Sequence, residues 1–250
     1  MPIVPSTPHA VAVLRNERLS RSTKPFLARG GIKGERCAAC RLVPSHCMCA
    51  LRHQTASHAG FCLLMGDIEP LKPSNTGWLL ADMVADTYAF GWSRTATDPA
   101  LLALLADPQW VPIVVFPGEF ATPQRLVHEV PVQSDLSQMA KRPLFILLDG
   151  TWAEARKMFR KSPYLDRLPV LSLNSMAASR YELRRSRCDA HLCTSEVAAL
   201  CLALAGDAAK GAALKAYLDV YTHHYLQAKK QLLPDHNSPA HLHYKSLLGL

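Results

Sequence analysis

Two groups of residues in this chain have types and spacings suited to chemistry. The denser is Cys37-Ala-Ala-Cys40 followed by Cys47-Met-Cys49, which puts four of the eight cysteines within residues 37–49. Four thiolates at such spacing close a tetrahedral Zn²⁺ shell with no open position, the pattern of a structural site. Pro44 and Ser45 supply the turn that returns the second pair. The segment is too small for an apolar core, so metal would contribute most of its folding free energy. His46 is an alternative ligand, although Cys37, Cys40, Cys47 and Cys49 already complete the shell. Reduced cysteines without metal are the plainer reading. Cys62, Cys188, Cys193 and Cys201 stand in apolar contexts and read as core residues.

The second group lies in Leu144–Pro163, LFILLDGTWAEARKMFRKSP. The apolar run Leu144–Leu148 between Pro143 and a turn reads as a strand buried on both faces. It ends at Asp149; Gly150 turns the chain, and Thr151 opens a helix with Trp152, Ala155, Met158 and Phe159 on one face. Open α/β sheets place ligands where a strand ends in this way. Asp149 is then either a functional acid or a helix cap. Asn75, Thr76 and Gly77 precede a helix built on Trp78, Leu79, Leu80, Met83 and Val84, a position suited to a carboxylate or phosphate, or to a plain N-cap. Arg156, Lys157, Arg160 and Lys161, with Arg185 and Arg187, suit a nucleic-acid backbone. A solvated charged face shows the same pattern.

The elements that must position these residues follow from the apolar runs. Strands are expected at Phe61–Met65, Val111–Phe116, Leu144–Leu148 and Leu168–Leu173. Helices are expected from Trp78, over Leu101–Leu105, over Thr194–Ala205 with Gly206 as its stop, and over Ala208–Leu232. Their alternation implies an α/β fold with a mostly parallel sheet covered by helices on both faces. Four segments result: a basic, mobile arm over 1–30, a cysteine module over 31–55, the α/β domain over 56–233, and a tail over 234–250. The tail, which carries His236, His241 and His243, reads as a disordered terminus, with a metal site as the alternative.

Composition narrows the function classes. The chain has 250 residues, 49% hydrophobic and 19% charged, enough for a sizeable core. A net charge of +8 favours polyanionic partners such as nucleic acid. No apolar run reaches the ~18 residues of a membrane span, and Arg15, Arg18, Arg21 and Lys24 interrupt any apolar signal core. A cytoplasmic protein with cysteines held as thiols or metal ligands is expected.

Asp149-Gly150-Thr151-Trp152 resembles the D-x-T-W signature of the DTW-domain proteins, the tRNA-uridine aminocarboxypropyltransferases. The cysteine cluster, the stretch Glu69–Gly77, the Phe116–Glu119 loop, Ser179–Arg184 and the helix start Thr194–Glu196 match that pattern in order, over about Cys37 to Ala205. The chain departs from it at Gly66, where a His is expected, and at Trp78, where a basic residue is expected. The resemblance implies a SPOUT-like fold with a C-terminal trefoil knot, which periodicity and composition do not show. It implies transfer of the 3-amino-3-carboxypropyl group of S-adenosylmethionine to N3 of a uridine in tRNA, releasing methylthioadenosine. Catalysis then falls on Asp149, Thr151 and Trp152. Donor binding falls on Glu69, Asn75, Thr76, Gly77, Phe116, Pro117, Gly118 and Glu119, with Asp149. Ser179, Tyr181, Leu183, Arg184 and Glu196 complete the donor set.

Uridine N3–H is a weak acid, so a base must take its proton, and Asp149 is the candidate. Its rival role is to hold the donor's ammonium. Glu69 or Glu196 could hold that ammonium too, while Arg184 or the amides near Asn75 take the carboxylate. Trp152 or Tyr181 could stack on a base, and Trp152 could equally pack in the core. The competing classes are a SPOUT-like RNA methyltransferase and a non-catalytic zinc-ribbon RNA-binding protein. The oligomeric state is open, with a monomer favoured.

Overall fold

The structure is a computed structural model that describes residues 8–24, 26, 34–130, 141–173 and 192–249. Strands β1 (Gly60–Met65), β2 (Thr87–Gly91), β3 (Trp110–Val115), β4 (Leu126–Val127), β5 (Arg142–Asp149) and β6 (Val170–Leu171) form one sheet. Their order is β2-β1-β5-β3-β6-β4, and every pairing is parallel. Seven helices accompany them among the described residues: α1 (Ala10–Ser20), α2 (Gly77–Met83), α3 (Pro99–Ala106), α4 (Trp152–Arg160), α5 (Thr194–Leu204), α6 (Ala208–Lys229) and α7 (Pro239–Leu248).

The uninterrupted apolar run of β5 has a direct cause. Phe145 and Leu147 face the core shared with α2, α5 and α6, while Leu144 and Ile146 face the core that holds Ala155 and Phe159 of α4. A central parallel strand with both faces covered needs apolar residues at every position. β1 is likewise buried along its whole length. The edge strands were not legible: β2 is half-exposed and polar at one end, and β4 has only two residues. β6 is shorter than the expected Leu168–Leu173, because only Val170 and Leu171 pair with β3 and β4.

Both ends of the chain depart from expectation. The basic N-terminal segment forms α1, packed on β2 and on the turn Glu69–Leu71. Its charge density suggested a mobile arm, yet Val11 and Leu14 are one helical turn apart and both are buried. His9 caps the helix by accepting from Ala12 N, and Arg18 pairs with Asp67 at 2.7 Å. At the other end, residues 239–248 form α7 against α6. Tyr244 is buried against Tyr217 and donates to Leu51 O at 2.8 Å. Ser238 as N-cap, Pro239 at the first helical position and Gly249 at φ +71° after the helix are ordinary start and stop signals. Gly206, the expected stop, does end α5, with φ +88°.

The cysteine segment is packed into the body, with Leu42, Met48 and Cys49 part of the larger core. The resemblance also implies a C-terminal trefoil knot; residues 174–191 of that part of the chain lie outside the described residues.

Candidate active site at the strand ends

Parallel pairing brings the carboxyl ends of β1, β5, β3 and β6 to one edge of the sheet. Asp149 ends β5 at its centre, with 3% of its surface exposed. Its Oδ2 accepts from Asn75 Nδ2 at 2.7 Å and its Oδ1 from Thr194 Oγ1 at 3.0 Å. Its backbone carbonyl accepts from Gly66 N, which ties the end of β1 to the end of β5. Asn75 precedes α2 and Thr194 begins α5, so two helix starts converge on this carboxylate, the end of a helix that favours an anion. Ser195 Oγ donates to Thr76 O at 2.7 Å and locks the two starts together.

Asn75 is fully buried, and each side of its amide has a task. Nδ2 faces both Asp149 and, at 3.5 Å, Glu69 Oε2, while Oδ1 accepts from Trp78 N at 3.0 Å and caps α2. Glu69 is buried too, and Lys72 Nζ donates to its Oε1. One amide therefore bridges two buried carboxylates, of which one carries a lysine. Gly77 is dictated by this arrangement. A Cβ there would lie 2.6 Å from Asp149 Oδ2, far inside contact distance. The space at Gly66, where the resemblance implies a histidine, faces Glu154 Oε1 at 3.3 Å and Glu69 Cγ at 3.5 Å. Glu154 thus stands beside the position that a side chain would use.

Thr151, expected to be catalytic, is the N-cap of α4. Its hydroxyl donates to Glu154 Oε2 at 2.6 Å and accepts from Glu154 N, a reciprocal capping box. Trp152 is half-buried and stacks on Phe116 at 5.5 Å, and Phe116 stacks in turn on Phe159 at 4.5 Å. The Phe116–Glu119 loop therefore flanks the Asp149 turn through an aromatic stack. Gly118 N donates to Ser172 Oγ, and Glu119 points to solvent. Glu196 accepts from Cys193 N at 2.8 Å across the first turn of α5. Arg156, Lys157 and Arg160 lie on the exposed face of α4, and the exposed Lys161 follows at its C-cap. Ser179, Tyr181, Leu183, Arg184, Arg185, Arg187 and Cys188 lie outside the described residues.

The sulfurs of Cys37, Cys40, Cys47 and Cys49 all fall within 4.8 Å of one another. Three of the pairs lie at 3.6, 3.7 and 3.8 Å. Tetrahedral Zn²⁺ with bonds of ~2.3 Å requires sulfur separations of about 3.8 Å, so the donor set fits the ion. The hydrogen bond from Cys49 is the largest cause that lowers the Cys40 thiol, to about 5. His46 is directed elsewhere, with Nε2 2.7 Å from Leu232 O.

Sequence reasoning missed the connection between this cluster and Asp149. Arg41, in the knuckle after Cys40, is buried with φ +63° and donates to Lys72 O and, at 2.9 Å, to Asn75 O. Its guanidinium lies 4.1 Å from the centre of the Trp78 ring, whose Nε1 donates to Ala39 O and which packs perpendicular to His9 with ring centres 4.5 Å apart. Trp78 is thus a post between α1, the knuckle and α2. Tyr221 of α6 holds the same loop by donating to Pro73 O. Thr194 was also missed as a partner of Asp149; its place at a helix start beside Glu196 was the available signal.

One relative, tRNA-uridine aminocarboxypropyltransferase 2 of Drosophila melanogaster, is 39% identical over 59 residues, which is 24% of each chain. The chain thus matches about a quarter of that relative's length. No solved structure matches. The DTW domain matches residues 34–226, from the cysteine knuckle through the strand ends and into α6. That span includes Cys37–Cys49, Glu69–Gly77, Asp149–Trp152 and Thr194, and by it the chain belongs to the DTW-domain family.

Proposed function

We propose that this protein modifies tRNA as a tRNA-uridine aminocarboxypropyltransferase. It moves the 3-amino-3-carboxypropyl group of S-adenosylmethionine to N3 of a uridine and releases methylthioadenosine. The observation that carries the reading is Asp149, a buried carboxylate at the end of the central strand, aimed by Asn75 and Thr194. In the reaction the uridine N3–C bond forms at the γ-carbon of the donor's amino-acid arm as the C–S bond breaks. Sulfur keeps the bonding pair and leaves as a neutral thioether, and the N3 proton goes to Asp149 as base. The donor carries a sulfonium and an ammonium. Among the described residues this wall carries two buried carboxylates and one lysine, which suits such a cation. Attack at the γ-carbon rather than at the methyl group is a matter of orientation, which Glu69 and the 72–77 loop supply by holding the amino-acid arm.

N3 lies on the Watson–Crick edge, so the target uridine must be unpaired or extruded. Trp152, half-buried at the mouth of the turn, offers a stacking face. The basic face of α4 meets the tRNA backbone. A tRNA substrate and thiols kept reduced suit a cytoplasmic protein.

The test incubates the protein and tRNA with donor labelled in the amino-acid arm. Label in tRNA, equal release of methylthioadenosine, and loss of both on Asp149→Ala are expected. Release of S-adenosylhomocysteine would overturn the reading in favour of methyl transfer. Unlabelled tRNA that is still bound tightly would overturn it in favour of a binding protein.

A further inference from the structure

Three histidines that the proposed reaction does not use come together where α6, the loop after it and α7 meet. His224 of α6 and His241 of α7 are 0% and 1% exposed, and their Nε2 atoms lie 2.9 Å apart. His236, from the connecting loop, is exposed and closes the group. One ligand atom from each lies within 4.8 Å of the other two. The tail pair His236 and His241 was visible in the sequence as a possible metal site; the fold adds His224 of α6 in place of His243.

The neighbours of the rings fix their chemistry. His224 Nδ1 is 2.8 Å from the His46 carbonyl, which can only accept. That nitrogen therefore carries the proton, and Nε2 of the neutral ring turns a lone pair toward the cluster. His241 Nδ1 is 2.8 Å from Ser238 Oγ. When it donates to that hydroxyl, its Nε2 also presents a lone pair, and two lone pairs 2.9 Å apart repel unless a cation lies between them. A ring nitrogen anchored to a carbonyl or hydroxyl, with the other nitrogen turned inward, is the arrangement of metal-ligating histidine. Zinc with Zn–N bonds of ~2.0–2.1 Å needs nitrogens about 3.4 Å apart, so an opening of about half an ångström admits the ion.

We propose that His224, His236 and His241 form a second metal site, three imidazoles with a fourth position open to solvent beside His236. Neutral imidazoles select zinc and its neighbours among the transition metals over magnesium or calcium. The ion ties α7 and the loop 230–238 to α6. It does so against the carbonyl of His46, next to the knuckle residue Cys47. Without an ion the same rings form a His–His hydrogen bond, with Ser238 donating to His241.

The test is a Co²⁺ titration of the metal-stripped full chain, compared with His236→Ala and His243→Ala. His236 is exposed, so its loss leaves the fold intact, and His243 is an exposed histidine on the same helix. Expected is one equivalent fewer in His236→Ala than in wild type. The visible ligand-field bands of the lost ion should show no thiolate charge transfer, and His243→Ala should match wild type. Added Zn²⁺ should raise the melting temperature of wild type above that of His236→Ala. Equal uptake and equal Zn²⁺ response in wild type and His236→Ala would overturn the proposal and leave the metal-free His–His bond.

Discussion

Replacing Asn75 with aspartate tests the geometry around Asp149 most directly. The side chain is nearly isosteric and keeps the oxygen that caps Trp78 N, so the main change is a donor turned into an anion. That anion would face Asp149 at the present 2.7 Å contact and Glu69 at 3.5 Å. With ~4 Å between charge centres and an effective dielectric of ~20, two carboxylates repel by about 4 kcal/mol. The lost hydrogen bond to a charged group adds about 1.5–3 kcal/mol. Binding a proton avoids both, at about 1.4 kcal/mol per pH unit above an ordinary carboxyl pKa near 4. That route is the cheaper one, and it sets the deficit at about 4 kcal/mol at pH 7 and about 1.4 kcal/mol at pH 5. The sign follows from linkage: the folded variant holds a proton more tightly than the unfolded one, so its stability falls as pH rises. In a chain of this size each kcal/mol moves the melting temperature by about 2–4 °C, which gives losses of about 8–16 °C at pH 7 and about 3–6 °C at pH 5. Thermal unfolding followed by circular dichroism measures both, with Asn75→Ala as the control. Alanine removes the bond without adding charge, so its deficit should not change with pH. An Asn75→Asp deficit of equal size at both pH values would refute the bridging of two buried carboxylates.

Gly77→Ala puts a Cβ 2.6 Å from Asp149 Oδ2 and should displace that carboxylate while the fold survives. Overpacking costs about 1–3 kcal/mol, and a misplacement of ~1 Å lowers turnover by about 100-fold, read as kcat in the labelled-donor assay. Chelation of the ion at Cys37–Cys49 should loosen the 72–78 loop before the sheet, seen as faster amide exchange in that loop and weaker donor binding by calorimetry. Lys157→Ala with Arg160→Ala should weaken tRNA binding across sequences and flatten its salt dependence by about one unit of slope per lost phosphate contact, without change in donor affinity.

What could be read from the sequence was whatever local pattern encodes alone. The run Leu144–Leu148 announced a central strand because burial on both faces leaves no polar position. The cysteine spacing announced a cluster able to hold a metal because ligand geometry restricts loop length. Partnerships across the fold left no such trace. Thr194 reaches Asp149 only because α5 is docked on α2 through Ser195 and Thr76. α1 and α7 looked like tails because each buries few residues, and those few matter only against surfaces that distant segments supply. The Thr151 hydroxyl, a natural suspect in the Asp-Gly-Thr-Trp turn, is engaged in capping by Glu154.

The knuckle and the strand ends are best understood as one mechanical unit. A non-glycine residue in the left-handed region costs about 1–2 kcal/mol, and Arg41 sits there with φ +63°. A glycine would relieve that strain but could not donate to Lys72 O and Asn75 O or stack on Trp78. Hydrogen bonds from a charged group contribute about 1.5–3 kcal/mol each, so the two together outweigh the strain. The path then runs from the cysteine cluster to the knuckle turn, from Arg41 to the backbone of Asn75, and from the Asn75 amide to Asp149. Each step is a short contact between buried groups, and none crosses the basic face of α4. A metal bound by all four of Cys37–Cys49 would have no position left for substrate and would still bear on where the Asp149 carboxylate points.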